Sequence, residues 1–303
     1  MNLSQFELLC EVARVKSFSK AAKLLHLSQP AVSAQISSIE DFYGTQLFER
    51  SSSGVTLTEV GKVVYDYAKE ILKMHEALEK EVDGLLRTEN QKLVIGASSN
   101  IGNYALPCSI WTFKEKHPLA EVKQVINNAE TILDMLRNDQ IDVAIVEGNL
   151  SEYIEDLVFH KVSNDELLVI APPQKPWLNR TTITLEELKK APLIIREKGS
   201  GIRRVFEEAI GSWGLQLDDM NVKTEMGSIN AIKSTVEAGL GISVCSRVAC
   251  QKAFRAGLLH PLTIEGKSIK IDYLIVHKPK KSLNITVKRF IRFIIGPGDP
   301  LFC

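Results

Sequence analysis

The sequence has no excess of charge of either sign: 37 Lys and Arg stand against 37 Asp and Glu in 303 residues. That excludes a chain that binds nucleic acid through a basic surface overall, so any DNA contact must come from local arrangement. No apolar run approaches the roughly 18 residues of a membrane span. The start, MNLSQFELLCEVARVKSFSK, lacks the basic stretch, apolar core and small-residue cleavage site of a secretory leader. A cytoplasmic protein with no membrane partner is expected. Cys10, Cys108, Cys245, Cys250 and Cys303 are odd in number and scattered, without the close pairs of a zinc site, and read as reduced thiols. His26, His75, His117, His160, His260 and His277 show no ligand spacing, so no metal site is expected. No Ser-His-Asp, paired-carboxylate or metal constellation can be assigned. Gly199-Ser200-Gly201 lacks the full glycine pattern and the terminal Lys-Ser/Thr of a nucleotide loop. Neither a cofactor nor catalysis is expected.

What the chain does have is length and 45% hydrophobic residues, enough for two or three compact domains. From Leu3 to about Val15, Phe6, Leu9, Val12 and Ala13 line one helical face, with Ser4 as start signal. A second helix is expected after Ser19, burying Ala22, Leu24 and Leu25. Ser28 then caps a third helix with Pro30 in its first turn, Val32, Ile36, Ile39 and Tyr43 as core stripe and Gly44 at its end. Two helices joined by a tight turn, the second offering Gln29 and Ser33 near its start, suit a major groove. The same spacing suits an ordinary three-helix unit whose Ser and Gln are solvated. Leu47-Phe48-Glu49-Arg50 and Val55-Thr56-Leu57, around Ser51-Ser52-Ser53-Gly54, read as a hairpin wing with Arg50 facing a phosphate.

Thr58 caps a long helix in which Val64, Ile71, His75, Leu78, Val82 and Leu85 form a coiled-coil seam. A helix of about 29 residues spans roughly 43 Å, too long for the small N-terminal core to cover, so a second copy of the chain is its natural partner. A homodimer would present two recognition helices to an inverted-repeat operator in double-stranded DNA.

The run Ala21-Ala22-Lys23-Leu24-Leu25-His26-Leu27-Ser28-Gln29-Pro30-Ala31-Val32-Ser33, then Ile39-Glu40, Leu47-Phe48-Glu49-Arg50 and Leu57-Thr58-Glu59-Val60-Gly61, resembles the N-terminal signature of LysR-type transcriptional regulators. The resemblance implies a DNA-binding regulator, a homodimer or a homotetramer, that responds to a small-molecule effector. It places Lys20, Ser28, Gln29, Pro30, Ala31, Ser33, Gln35 and Arg50 on the DNA. One departure concerns charge: residues 1–65 hold six bases and six acids, and Ala34 and Ser38 stand where family members often carry Arg. Fewer phosphate contacts and a shallower salt dependence follow.

After the polar hinge Thr88-Glu89-Asn90-Gln91, strands and helices alternate: strand 92–97, helix 103–116, strand 122–126, helix 129–137 and strand 142–147. Strand 166–171, helix 185–190, strand 193–196, helix 201–213, strand 222–226, helix 229–237 and strand 242–245 follow, then a late strand 269–277 and helix 285–295. The alternation implies an α/β class with parallel sheet. The expected architecture is an N-terminal winged helix-turn-helix (1–58) and a linker helix (59–88), then a C-terminal α/β domain (89–303). The LysR resemblance implies that this domain is two-lobed and periplasmic-binding-protein-like. Lobe I covers about 92–163 and 268–303, and lobe II about 164–267.

Open α/β sheets bind ligands beyond the carboxyl ends of their strands. That selects Ser98, Ser99 and Asn100 after the first strand, and Arg196, Ser200 and Ile202 around a second strand-to-helix turn. Glu147 and Ser228 rank behind them, the former for a ligand ammonium. Helix capping is the alternative for each, above all for Ser228. The stretches Ile95 to Tyr104 and Arg196 to Gly201 look similar to regulators of cysteine and sulfur-assimilation genes, implying an anionic or zwitterionic effector such as O-acetylserine or sulfate. Other small carboxylates fit the same loops. A solute-binding transport component shares the two-lobed fold, but the missing leader and the fused N-terminal helices argue against it.

Overall fold

A computed structural model describes residues 1–25, 27–51, 54–85, 92–148, 156–279 and 283–296. The chain divides near residue 90 into two compact units.

The first unit is helical with a small wing. Helices α1 (Leu3–Val15), α2 (Phe18–Leu24) and α3 (Gln29–Tyr43) precede strands β1 (Phe48–Ser51) and β2 (Gly54–Leu57) and the long helix α4 (Glu59–Leu85). Their core joins Leu8, Leu9 and Val12 to Ala21, Leu25, Val32, Ile36, Ile39, Leu47 and Val64. Helix α1 is capped by Asn2, not Ser4: Asn2 Oδ1 accepts from Gln5 N while Gln5 Oε1 accepts from Asn2 N, each at 3.0 Å. Helix α2 starts at Phe18, before Ser19, and Ser17 Oγ accepts from Lys20 N. Leu24 is exposed, because Ala21, Ala22 and Leu25 already fill the inward face. Helix α3 has the expected Ser28 cap and ends on Gly44 at φ 67°, a conformation that favours glycine. Tyr43 is exposed rather than core. The wing is tied to α3 by Glu40 Oε1, which accepts from Leu47 N and Phe48 N. Ser52, Ser53 and the Arg50 side chain lie outside the described residues.

Of the seam expected on α4, Ile71 and Leu78 are exposed, but Val64 is not part of it. Val64 is buried with Ala68 in its own unit's core. The exposed apolar row is Val60, Val63, Tyr67, Ile71, Met74 and Leu78, again at three- and four-residue steps. The hinge at 88–91 lies outside the described residues.

The second unit is α/β. In order come β3 (Lys92–Ser98), α5 (Ser99–Tyr104), α6 (Leu106–Lys116), β4 (Glu121–Asn127), α7 (Ala129–Arg137), β5 (Val143–Glu147) and β6 (Val158–Ala171). Next are β7 (Thr182–Ile183), α8 (Leu185–Lys190), β8 (Leu193–Arg196), α9 (Gly201–Ser212), β9 (Val222–Met226) and α10 (Ile229–Glu237). Strand β10 (Ile242–Ser246), α11 (Arg247–Arg255), β11 (His260–Ile264), β12 (Ile269–His277) and α12 (Ile285–Ile295) complete it. The single helix expected over 103–116 is two, broken at Ala105, and it starts at Ser99.

One path of hydrogen-bonded strands runs β4-β3-β5-β12-β6-β10-β8-β9. It is mixed rather than parallel. β3 runs parallel to β4 and β5, and β8 to β9 and β10, while β12 is antiparallel to β5 and β6, and β10 to β6. Strands β6 and β12, paired from Ile269↔Leu167 to His277↔Val158, carry the chain between the two lobes. Cys10, Cys245 and Cys250 are free, as expected, whereas Cys108 is disulfide-bonded. Spacing in sequence does not reveal which thiols the fold brings together. Among the described residues no helix is long and apolar enough to cross a membrane.

Candidate functional site

Two regions gather the residues singled out from the sequence, one in each unit. In the first, Ser28, Gln29 and Pro30 are exposed at the start of α3, Ala31, Ser33 and Gln35 are half-buried along it, and Lys20 is exposed on α2. Ser28 Oγ is occupied as the cap, accepting from Ala31 N at 3.3 Å. Gln29 Oε1 accepts from Ser19 Oγ at 3.0 Å, which ties α3 to α2. In this arrangement the Gln29 NH2 is turned away from Ser19 as a donor, the group an adenine or guanine edge accepts.

In the second unit the selected residues lie where the carboxyl ends of β3, β5 and β8 converge. Ser98 ends β3, Glu147 ends β5, and Ser98 Oγ donates to Glu147 Oε2. Both side chains are buried. Arg196 ends β8, 3% exposed, and its Nε and Nη2 hold Glu197 through two bonds of 2.8 Å. Its Nη1 is buried without a hydrogen-bond partner. Arg196 and Glu147 interact electrostatically across the junction. Ser200, also buried, caps α9 and accepts from Arg203 N at 3.5 Å. The next residue, Gly201, packs so closely on Glu147 that an added Cβ would lie 2.5 Å from the Glu147 carbonyl oxygen.

Asn100 is buried, with Oδ1 unpaired. Ser99 is half-buried and its hydroxyl donates to Asn127 O at 3.3 Å. Two selected residues play other parts. The Ile202 side chain is 1% exposed in the hydrophobic core, leaving only its backbone for a ligand, because an apolar residue at the second position of α9 faces inward. Ser228 is exposed and caps α10, accepting from Ala231 N at 3.3 Å.

The lobes touch around this junction. Glu130 N donates to Gly199 O at 3.3 Å, and Arg204 Nη2 to Glu147 O at 3.5 Å. Tyr104, at the end of α5, donates to Asn230 Oδ1 at 2.6 Å and accepts from Lys233 Nζ at 3.2 Å, with that ammonium 4.9 Å from its ring centre. Sequence reasoning missed Tyr104, Asn230, Lys233 and Arg204. Their partners lie 57 to 129 residues away in the chain, so no local pattern marks them.

Burial pushes the Glu147 carboxyl above its ordinary range, against the lowering effects of Ser98 and Arg196. The folded pKa therefore exceeds the unfolded one, near 4.5. The stability this gives is fully present below that value and is lost as pH rises through the raised one. Glu147→Gln, which keeps the shape and the Ser98 contact, is expected to lose that pH dependence. The difference in melting temperature between variant and parent should grow in the variant's favour from pH 5 to pH 8, and a constant difference would contradict the raised carboxyl.

Comparison with known proteins identifies the family of both units. Residues 3–62 match the model described as "Bacterial regulatory helix-turn-helix protein, lysR family", and residues 87–296 the one described as "LysR substrate binding domain". A "Probable RuBisCO transcriptional regulator" of Porphyra purpurea is 31% identical over 297 residues, covering 98% of this chain and 88% of that one. The regulatory domain of CcmR from Synechocystis PCC6803, solved in complex with 2-PG, aligns at TM-score 0.61 and 27% identity over 67% of this chain and 95% of that one. Vibrio fischeri DarR, solved in complex with DNA, shares the fold at TM-score 0.55 and 17% identity, over 97% and 98% of the two chains.

Proposed function

The chain belongs to the LysR family of DNA-binding transcription regulators, and from that premise we propose that it reads an inverted-repeat operator as a homodimer and senses a small anion between the lobes of its α/β domain. Gln29, Ser33 and Gln35 on α3 read base edges. Lys20 and Arg50 meet phosphates, and Ser28, Pro30 and Ala31 set the approach of the helix. Residues 59–88 form the dimerisation linker, and the effector domain divides into lobe I (about 92–163 and 268–303) and lobe II (about 164–267).

The observation that carries the effector reading is Arg196 Nη1, a cationic donor sealed from water with no partner. Such a group is costly to leave unpaired, and a carboxylate, phosphate or sulfate oxygen satisfies it. Ser98, Ser99, Asn100, Glu147 and Ser200 supply the polar surroundings, with Ile202 offering its backbone N–H. The sulfur assignment finds no support in the relatives above, whose names speak of RuBisCO regulation and whose solved neighbour holds 2-PG. A small anionic metabolite of carbon fixation is the effector class this favours.

Full-length protein titrated calorimetrically with 2-PG, sulfate, phosphate and simple carboxylates tests the reading. At least one anion should bind, and Ser99→Ala combined with Arg196→Ala should weaken it at least a hundredfold, in line with loss of a buried charge-assisted contact. Operator affinity in a gel-shift assay should stay within about threefold. Undiminished anion binding in the double variant would move the site elsewhere.

A further inference from the structure

Asn100 is the start of a chain of hydrogen bonds leading away from the cleft into the two strands that join the lobes. Its Nδ2 donates to Tyr273 Oη at 3.0 Å, and Tyr273 Oη donates to Asp165 Oδ2 at 2.9 Å. Tyr273 lies on β12 and Asp165 on β6. Asp165 Oδ2 also accepts from Ser246 Oγ and from Val248 N at the start of α11, and Oδ1 accepts from Glu166 N. Ser246 Oγ in turn accepts from Ala249 N at 3.3 Å. The side chains of Asn100, Tyr273, Asp165 and Ser246 are all buried, Tyr273 and Ser246 completely.

The direction of this chain is set by chemistry. A carboxylate only accepts, and a phenol has one proton to give. Burial and the nearby Asp165 keep that proton on Tyr273 far above neutral pH. Whether it goes to Asp165 or to Ser246 Oγ, 3.4 Å away, the phenol oxygen offers Asn100 only lone pairs. The Asn100 carboxamide must turn its NH2 to Tyr273, and the flipped amide, with oxygen facing oxygen, is forbidden. Its Oδ1 therefore stands fixed, buried and without a partner, at the same junction of strand ends as the unpaired Nη1 of Arg196. One orphaned atom is an acceptor and the other a cationic donor.

We propose that Asp165 and Tyr273 are positioning residues that lock the Asn100 oxygen as an acceptor for the effector, so that the site selects small anions carrying a hydroxyl or amine over matched anions without one. This rests on the effector reading above. The anionic end meets Arg196 Nη1 and the donor meets Asn100 Oδ1. A site built to hydrogen-bond a ligand group rejects the analogue lacking it much more strongly than an apolar pocket rejects a missing methylene.

The test compares matched pairs on the full-length protein by calorimetry: lactate against propionate, and glycerate 3-phosphate against 3-phosphooxypropionate, which lacks only the hydroxyl. The hydroxylated member of at least one pair should bind at least tenfold more tightly. In Tyr273→Phe the amide is free to turn, and the ratio should fall to within about twofold while the affinity for the plain anion is kept. A merely structural role would lower both members equally. Asp165→Asn gives a second, independent reading: an amide donor there lets Tyr273 point its proton at Asn100, turning the carboxamide over, and the preference should vanish or invert. Equal binding of both members in the parent protein, or an unchanged ratio in both variants, overturns the proposal and leaves the anion site standing. Binding of none of the four anions overturns the proposal, and failure of 2-PG, sulfate and phosphate as well overturns the effector reading on which it rests.

Discussion

Gly201→Ala is expected to weaken effector binding by roughly five- to a hundredfold while leaving operator affinity unchanged. The first residue of α9 approaches the end of β5 so closely that the new methyl would lie 2.5 Å from the Glu147 carbonyl oxygen and 2.8 Å from its Cγ. Neither the carbonyl nor the start of the helix is a flexible tip that can swing aside. Crowding a packed contact by one methyl costs about 1–3 kcal/mol, and each 1.4 kcal/mol is tenfold in an equilibrium constant. The cost falls on the arrangement in which the lobes meet through Glu130 and Gly199, through Arg204 and Glu147, and through Tyr104 and Asn230. If the effector stabilises that arrangement, its affinity drops by the same factor. Calorimetry with the anion found for the parent protein measures this, and unchanged affinity would show that the liganded form does not use this contact.

The second large effect is expected on α4. Tyr67→Glu combined with Met74→Glu should convert the dimer to monomer in sedimentation analysis and lower affinity for an inverted repeat at least a hundredfold, while affinity for a half-site changes little. Tyr67 and Met74 are 64% and 72% exposed in the middle of the row Val60, Val63, Tyr67, Ile71, Met74 and Leu78. They have no role in the core of their own unit, so the fold should survive. Two carboxylates per chain in an apolar seam repel across the interface and lose hydration, and a monomer loses the effective concentration that joins two half-sites. A double variant that remains dimeric would place the contact on another face.

Much of this could be read from local patterns, where one signal decided the element. Helices α7, α8 and α10 begin and end where expected because Asn128, Thr184 and Ser228 cap periodic apolar runs. Helix α11 carries no such signal: Arg247-Val248-Ala249-Cys250-Gln251-Lys252-Ala253 offers only small buried residues, Ala249, Cys250 and Ala253, in place of an apolar stripe. The first half of β6, Val158 to Asn164, mixes apolar and polar residues without strict alternation and so carries no strand signal. The direction of strand pairing was illegible, because period-2 patterning and an apolar run look the same in parallel and antiparallel strands. On α4, Ile71 and Leu78 belong to the exposed row as expected, but Val64 does not, because apolar residues line two faces and the one with Val64 and Ala68 serves the unit's own core. At the junction of strand ends in the α/β domain, strand ends and caps mark Ser98, Asn100, Glu147, Arg196 and Ser200 in the sequence. Tyr273 and Asp165 stood unmarked, since 108 residues separate them and only the closed sheet brings them together.

The placing of β12 also governs the order in which the molecule can be made. This strand, Ile269–His277, is inserted between β5 and β6, so the sheet cannot close until nearly the whole chain has left the ribosome. The N-terminal unit, with its own core, meets no such delay. During synthesis the α/β domain therefore passes through a long interval in which β5 and β6 present open edges, the state most exposed to wrong pairing with other chains. A message cut short by about its last eighth would yield a head able to fold, attached to a domain that lacks its central strand.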